Sequence, residues 1–586
     1  MPQHLDIASL ENDLRLESQQ PYRSPGWLEA SYRNPGEFWR SLQGAFDAHV
    51  AVQGASSLFN GYNFYHDMLL RNRNRAQPAL CWYEPATGIK GISYRELDSL
   101  AAARSSHWAR LGVLPGQTLC IIRNMGLEMT VDLLAALKAG CVISFLPPRG
   151  MGFLQRRLDA LKPDHIAMED RQAALLPAWN RRVLPEGDRG TGFSNGRERP
   201  FTYLSGQVVF RHFDPCGSDP GTLSDVTSDS AYLCALRDAM ISLGIGPGQI
   251  YAAPGFHAME TTPALLLAGL LCGATYLHLT PEDIEARPEL VGQHPLKAFG
   301  VCPKVRDILL ERGITAEDCW ESWFRNPAES QDMDRWYHFI RNLKLERSFA
   351  FNLRWSAAVG GCSLFSVRRK GSAHMTVLPV PGSTWSLGAL SGAEEASAED
   401  FGIYTLSATG APEEEQKATA DRIARSGQEW IFSGVSTRHR EGRTFPVDEI
   451  LATLRKLEAR YGFFCSLADV PRMDGGNGQR MVLLVFRGAD AQLNEARVTS
   501  EIRTTLAEEM GEEFLPDRME FLPLYPRFLS PAEVDHAWCR NAFLSGTLSR
   551  RSKRELFAIL TRLRKCVIER ERSAELSAGP ADEIIQ

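Results

Sequence analysis

A chain of 586 residues exceeds what one hydrophobic core usually supports, so at least two domains are expected. Its apolar and charged fractions, 44% and 23%, exclude an intrinsically disordered protein. The net charge of −6, with no long basic run or helical Lys/Arg stripe, excludes a nucleic-acid role.

The first residues carry acids and amides where a signal peptide has a basic end and an apolar run, which predicts a cytoplasmic protein. Residues 1–60 read as a polar and aromatic lead-in, in which 34–42 suggests a short amphipathic helix packed on the domain behind it. A helix at 94–111, a strand at 119–122, a helix at 127–138 ending near Gly140 and a strand at 141–146 make a βαβ pattern, hence a parallel sheet covered by helices. Residues 180–227 look like loops or extended segments. The βα rhythm returns with a helix at 230–243, a strand at 250–254, a helix at 260–272 and a strand at 274–279. The apolar stretch 263–279 is too short to span a bilayer and is broken by Gly269 and Gly273.

A charged helical stretch is predicted at 303–346, a strand-rich segment at 347–393, a linker at 391–400, a short strand at 402–407 and an acidic helix at 412–425. From about 436 a smaller unit begins, with helices at 447–460 and 495–510 around a strand at 481–486. Leu556, Phe557, Ile559, Leu560 and Leu563 line one face of an amphipathic helix at 550–565 that would dock on this unit or on a partner. The expected fold is α/β: a large domain of βαβ layers with parallel-rich sheets at 61–435, a small α+β domain at 436–569 and a frayed tail at 570–586. The twelve cysteines are scattered without CxxC pairs, which predicts reduced thiols and no metal site.

Several segments, in order, resemble the adenylate-forming superfamily of acyl- and aryl-CoA synthetases, fatty acyl-AMP ligases and peptide-synthetase adenylation domains. They are Ser93-Tyr94-Arg95-Glu96-Leu97, Gly112-Val113-Leu114-Pro115-Gly116, Leu137-Lys138-Ala139-Gly140, the stretch 243–279, Val380-Pro381-Gly382, 402–434, 442–450 and 515–527. The resemblance implies a large domain with a C-terminal lid. It also implies an acyl or aryl pocket near His257, with Phe256, Gly360 and Gly361 as further substrate-binding candidates. The glycine pair reads equally as a tight turn or a close backbone approach.

In that family a carboxylate attacks the α-phosphate of ATP, which calls for a lysine-bearing phosphate loop, a carboxylate for Mg²⁺, an acid on the ribose and a lysine on the lid. The matching loop, 215–232, opens with Cys216-Gly217-Ser218, but Asp219 replaces a hydroxyl residue and Leu223 stands at the lysine position; no lysine occurs from 163 to 296. Cys216 reads as a structural thiol rather than a nucleophile, and Asp214, Asp219 and Asp225 as a solvated loop rather than a metal or acid/base cluster. No Asp or Glu occurs from 347 to 393, Val435 replaces the ribose acid, and Ala532 or Glu533 replaces the lid lysine in a window, 457–552, without lysine. Arg211 and Arg527 are the candidate substitute cations.

The expectation is therefore a degenerate homologue that binds an acyl or aryl carboxylate, thioester or carrier-bound substrate without ATP-dependent adenylation and with no cofactor. The alternatives are a divergent ligase using ATP and Mg²⁺, and a non-catalytic scaffold for a related synthetase. Its partners would be a small acyl or aryl substrate and an acyl-carrier protein or synthetase.

Overall fold

The computed structural model describes residues 26–50, 61–169, 176–185, 199–213, 222–256, 262–327, 333–366, 368–389, 402–412, 414–426, 429–435, 439–440, 443–471, 479–487, 494–530 and 533–557, with a few positions between 561 and 569. The chain divides into two units, Met1–Thr444 and Phe445–Gln586.

The first unit opens with α1 (Gly26–Arg33) and α2 (Pro35–Val50). Asn34 accepts from the Glu37 amide, and Pro35 starts α2 where a missing N–H costs nothing. The inner face of α2 buries Phe38, Trp39, Leu42 and Phe46, as the amphipathic pattern predicts. Trp39 Nε1 donates to Gly382 O at 2.9 Å, and Tyr32 Oη donates to Pro379 O at 2.5 Å. Gly382 has φ +75°, and a Cβ there would strike the Phe38 ring.

One sheet is built from β3 (Thr118–Ile122), β4 (Val142–Leu146), β5 (His165–Met168), β6 (Val183–Leu184), β7 (Val208–Phe213) and β8 (Leu223–Thr227), following β1 (Pro78–Glu84) and β2 (Gly88–Ser93) of another sheet. Its order is β6-β5-β3-β4-β7-β8, parallel except for the β7–β8 hairpin. The preceding α3 (Tyr94–Arg110) starts from a capping box between Ser93 and Glu96, and α4 (Leu127–Ala139) ends at left-handed Gly140.

The larger sheet adds β9 (Ile250–Ala252), β10 (Thr275–His278), β11 (Ala298–Gly300), β12 (Ser322–Arg325), β13 (Phe349–Ser356), β14 (Gly361–Phe365), β15 (Arg369–Lys370) and β16 (Leu378–Pro379), in the order β16-β14-β13-β12-β11-β9-β10-β1-β2, with β15 pairing to β13. From β1 to β13 across β10, β9, β11 and β12 all neighbours run parallel. Two helices lie on its inner side: α5 (Ser228–Arg237), which continues as a wider π-helical turn to Leu243, and α6 (Thr262–Cys272). Leu265, Leu266, Leu267, Leu270 and Leu271 of α6 are all buried, so this helix is apolar on every side because it is enclosed on every side.

Two expectations are corrected. The stretch 303–346 is not one helical run: helices Pro303–Arg312 and Met333–Asn342 flank β12, whose four residues are all buried and carry Trp323 and Phe324 into opposite cores. The segment predicted as an acidic helix at 412–425 is mostly a strand. A four-stranded meander of β17 (Trp385–Ala389), β18 (Gly402–Ala408), β19 (Lys417–Ser426) and β20 (Glu429–Val435) forms here. Thr419, Asp421 and Ile423 alternate inward on β19, so pairing on both edges overrides the helical preference of its Ala, Lys and Arg residues.

After a short hairpin of β21 (His439–Arg440) and β22 (Arg443–Thr444), the second unit packs helices Val447–Tyr461, Glu495–Glu509 and His536–Leu544 with the sheet β23 (Phe464–Pro471), β24 (Gln479–Phe486) and β25 (Arg518–Leu522). β26 (Phe528–Ser530) and β27 (Glu533–Val534) form a separate short ribbon. A further helix covers 547–557, with Leu556 and Phe557 exposed; Ile559, Leu560 and Leu563 lie outside the described residues. Replacing Trp39 by Ala removes a ring that is 3% exposed together with its bond to Gly382, and should cost about 3–5 kcal/mol, read as an earlier denaturant midpoint for the large unit.

Candidate functional site

The carboxyl ends of parallel strands are where open α/β sheets bind ligands. In the larger sheet that edge carries an aromatic wall. Phe256, just past β9, lies 5.2 Å from Phe324 of β12 and 6.0 Å from Trp355 of β13 between ring centroids. Phe324 also meets Trp355 at 5.8 Å and Phe351 at 5.7 Å. Gly300, at the end of β11, makes room for the pair: a Cβ there would stand 2.8 Å from Phe256 and 2.9 Å from Phe324. Trp355 is 2% exposed and its Nε1–H has no hydrogen-bond partner among the described residues. A buried indole N–H is normally met by an acceptor, which makes this one an exception inside the aromatic cluster. Phe324 and Trp355 escaped sequence reasoning, although their inward positions on short apolar strands are the signal that could have found them. His257 lies outside the described residues.

The second locus is the β7–β8 hairpin and the helix after it. Cys216, Gly217, Ser218 and Asp219, with Asp214, fall in the connection outside the described residues. Leu223 is the first residue of β8, opposite Phe213. Arg211 binds the Asp225 carboxylate through two bonds of 2.6 and 2.8 Å, so its charge is matched within the hairpin. Thr227 caps α5 by accepting from the Ser230 amide at 3.1 Å.

The β18–β19 connection closes over this helix end. Glu414 accepts the hydroxyl protons of Thr227 and, at 2.6 Å, of Ser230. Lys417 Nζ donates to Asp225 O at 2.5 Å. Asp229, in the first turn, accepts from Tyr62 Oη at 2.7 Å, Ser205 Oγ at 2.9 Å and the Gly206 amide at 2.6 Å. A triphosphate brought to this N-terminus meets the Glu414 carboxylate at the place where helix dipole and hydroxyl donors converge.

Gly360 and Gly361 serve backbone approach. Gly360 is left-handed at φ +74°, and added Cβ atoms would come 2.5 Å from Val226 at Gly360 and 2.5 Å from Cys234 at Gly361. The short turn before them, Ala357–Val359, bears no carboxylate. Val435 is opposite Asp421 in the β19–β20 register. Asp421 is itself buried, accepting from Arg354 at 2.8 Å and Ser363 at 3.2 Å. In the second unit Glu533 is exposed on β27, and Arg527 faces Asp535 at 3.5 Å. Among the described residues no group of three His, Cys, Asp or Glu side chains is placed to hold a metal ion.

This combination of a parallel sheet, a hairpin-and-helix on a second sheet, a β-meander and a small α+β unit is a fold the chain shares with solved synthetases and an adenylation domain. Among solved structures the chain is similar to the amide bond synthetase McbA from Marinactinospora thermotolerans, with a TM-score of 0.64 and 14% identity over 82% of this chain and 99% of that one. It is similar also to the acetoacetyl-CoA synthetase from Streptomyces lividans, at 0.59 and 14% over 88% and 89%. The third is NpsA-ThdA from Klebsiella oxytoca, an artificially fused adenylation–PCP di-domain, at 0.59 and 12% over 79% and 94%. No family model and no curated protein matches the sequence.

Burial, and then the charge of Lys417, pull His212 from its ordinary 6.5 down to about 4. The fold therefore favours the neutral imidazole. That contribution is complete above pH 6.5 and is lost as pH falls through 6.5 towards 4. Replacing His212 by Gln should flatten the acid limb of stability in that window, measured by urea unfolding at stepped pH.

Proposed function

We propose that this protein holds an acyl or aryl group against the wall of Phe256, Phe324 and Trp355, presented as a carboxylate, a thioester or a carrier-bound substrate, and does not make adenylates. One observation carries the second half: the chain's own carboxylate, Glu414, sits on the N-terminus of α5. A like charge about 4 Å away costs a phosphate roughly 1 kcal/mol in water and about 4 kcal/mol at an effective dielectric of 20. Three further features agree with it. Leu223 leaves the hairpin without its lysine, no acid occurs from 347 to 393, and Arg211 and Arg527 each face a carboxylate. These residues do not suit a nucleoside triphosphate with Mg²⁺.

A carrier-bound substrate is supported by the Klebsiella neighbour, in which an adenylation domain is joined to a PCP. A cytoplasmic setting is supported by the ten described cysteines, all free thiols. Among the described residues no helix is long and apolar enough to cross a membrane.

The test is acid-dependent pyrophosphate exchange over a panel of fatty and aromatic acids, with calorimetry of the same acids and their thioesters. No exchange is expected, while one class of acyl or aryl ligand binds and Phe256→Ala weakens it roughly tenfold, about 1.4 kcal/mol. Exchange with any acid would overturn the proposal.

A further inference from the structure

The acidic balance of the whole chain conceals a strongly basic face on the helix over 547–557 of the second unit. From 550 to 565 the sequence holds seven Lys/Arg residues and one acid, Glu555, so the expectation of no helical Lys/Arg stripe is corrected. Leu548 and Ser552, one turn apart, are buried against the unit. Leu556 is the next position on that column, yet it is 44% exposed, beyond the core that Leu548 joins. Phe557 beside it is 73% exposed, more than any other large apolar side chain among the described residues. Arg550, Lys553 and Arg554 are exposed and precede Phe557 by seven, four and three positions, the helical spacings that set them on its side of the helix. Arg564 and Lys565, helical and exposed, lie further along. The sequence adds apolar Ile559, Leu560 and Leu563, which lie outside the described residues.

We infer that this helix lies on an anionic lipid surface, with Leu556 and Phe557 at the acyl boundary and Arg550, Lys553 and Arg554 at the phosphate groups. Exposed apolar side chains set among cations fit an apolar phase edged by anions. A second copy is the poorer occupant, because two such helices face to face bring like charges together. A polynucleotide meets the cations and leaves Leu556 without a partner. The groove of an acidic protein takes a narrow apolar column, whereas the adjacent Leu556 and Phe557 point about 100° apart around the helix, a spread that suits a plane. Among the described residues no helix is long and apolar enough to cross a bilayer, so the contact is with its surface. The inference concerns the second unit and stands apart from the acyl-binding proposal.

The experiment is flotation of the full chain with vesicles of phosphatidylcholine alone and of phosphatidylcholine mixed equally with phosphatidylglycerol, at low and raised salt. The chain should float with the mixed vesicles and not with the neutral ones. Raised salt should weaken the binding, since exposed charges are already screened beyond about 8 Å at physiological ionic strength. Lys553→Glu combined with Arg554→Glu should weaken binding to mixed vesicles tenfold or more, Phe557→Ser should weaken it several-fold, and Lys553→Arg should retain it. These side chains are exposed, so the variants should keep the urea midpoint of the wild type. Titrations with a single-stranded oligonucleotide and with polyglutamate, and gel filtration, examine the other occupants. The inference is overturned if the wild type does not float with mixed vesicles, if it floats equally with neutral ones, or if either the charge-reversed variant or Phe557→Ser binds as tightly as the wild type. It is overturned also if Phe557→Ser weakens oligonucleotide or polyglutamate binding as much as vesicle binding, or splits a dimer. Calorimetry of acyl and aryl ligands should be unchanged in Phe557→Ser, so failure of this inference and failure of the acyl-binding reading are told apart.

Discussion

Helix α5 and its π-helical extension run through the middle of the large unit with almost every residue from 228 to 243 buried, so its polar groups turn to protein partners, with Arg237 Nη1 the exception among those described. Arg237, fully buried, donates to Asp238 and to Cys362 O, while Asp238 accepts from the Cys362 amide at 2.7 Å. Tyr232 donates to buried Asp67, and Asp229 is met by Tyr62, Ser205 and Gly206. The surrounding backbone comes close enough to do this because Gly360, Gly361 and Gly410 lack side chains. A buried ion pair of this kind is strongly destabilising to break and weakly stabilising to possess, so its effect is to fix one arrangement of the helix against both sheets.

That arrangement explains why the two loci differ in character. The aromatic wall lies at strand ends whose positions are set by parallel pairing, and its one unmet polar group is a neutral indole. The hairpin lies against the first turn of α5, where every nearby carboxylate among the described residues already has a donor. One locus is an apolar cluster that keeps a single neutral donor. The other has been rewired by a turn of the chain that comes from far along the sequence.

Much of the fold was legible in the residues. The helices and strands from 94 to 146 and from 230 to 279 follow hydrophobic periodicity and caps closely, because local pattern and burial agree there. The meander strand at 417–426 was not legible: Ala, Lys and Arg favour helix locally, and only pairing with β18 and β20 decides otherwise. The site was legible in part. The replacements at Leu223 and Val435 and the absence of acids from 347 to 393 need only the sequence. Glu414 and Lys417 at the hairpin could not be read, since nothing local says that residues almost two hundred positions apart touch. Arg211 looked like an available cation because its partner, Asp225, lies across a turn whose register is a tertiary property.

The lead-in helices carry a practical consequence. Trp39 lies over the Arg237 guanidinium, 5.7 Å from ring centroid to the charged carbon, and Phe38 fills the space above Gly382. A version of the protein trimmed to begin at residue 61, where the recognisable βα layers start, would strip the cover from a fully buried arginine and invite water into the centre of the large unit. The boundary that matters for handling this protein is therefore set by a tryptophan in the lead-in, well before the first strand of either sheet.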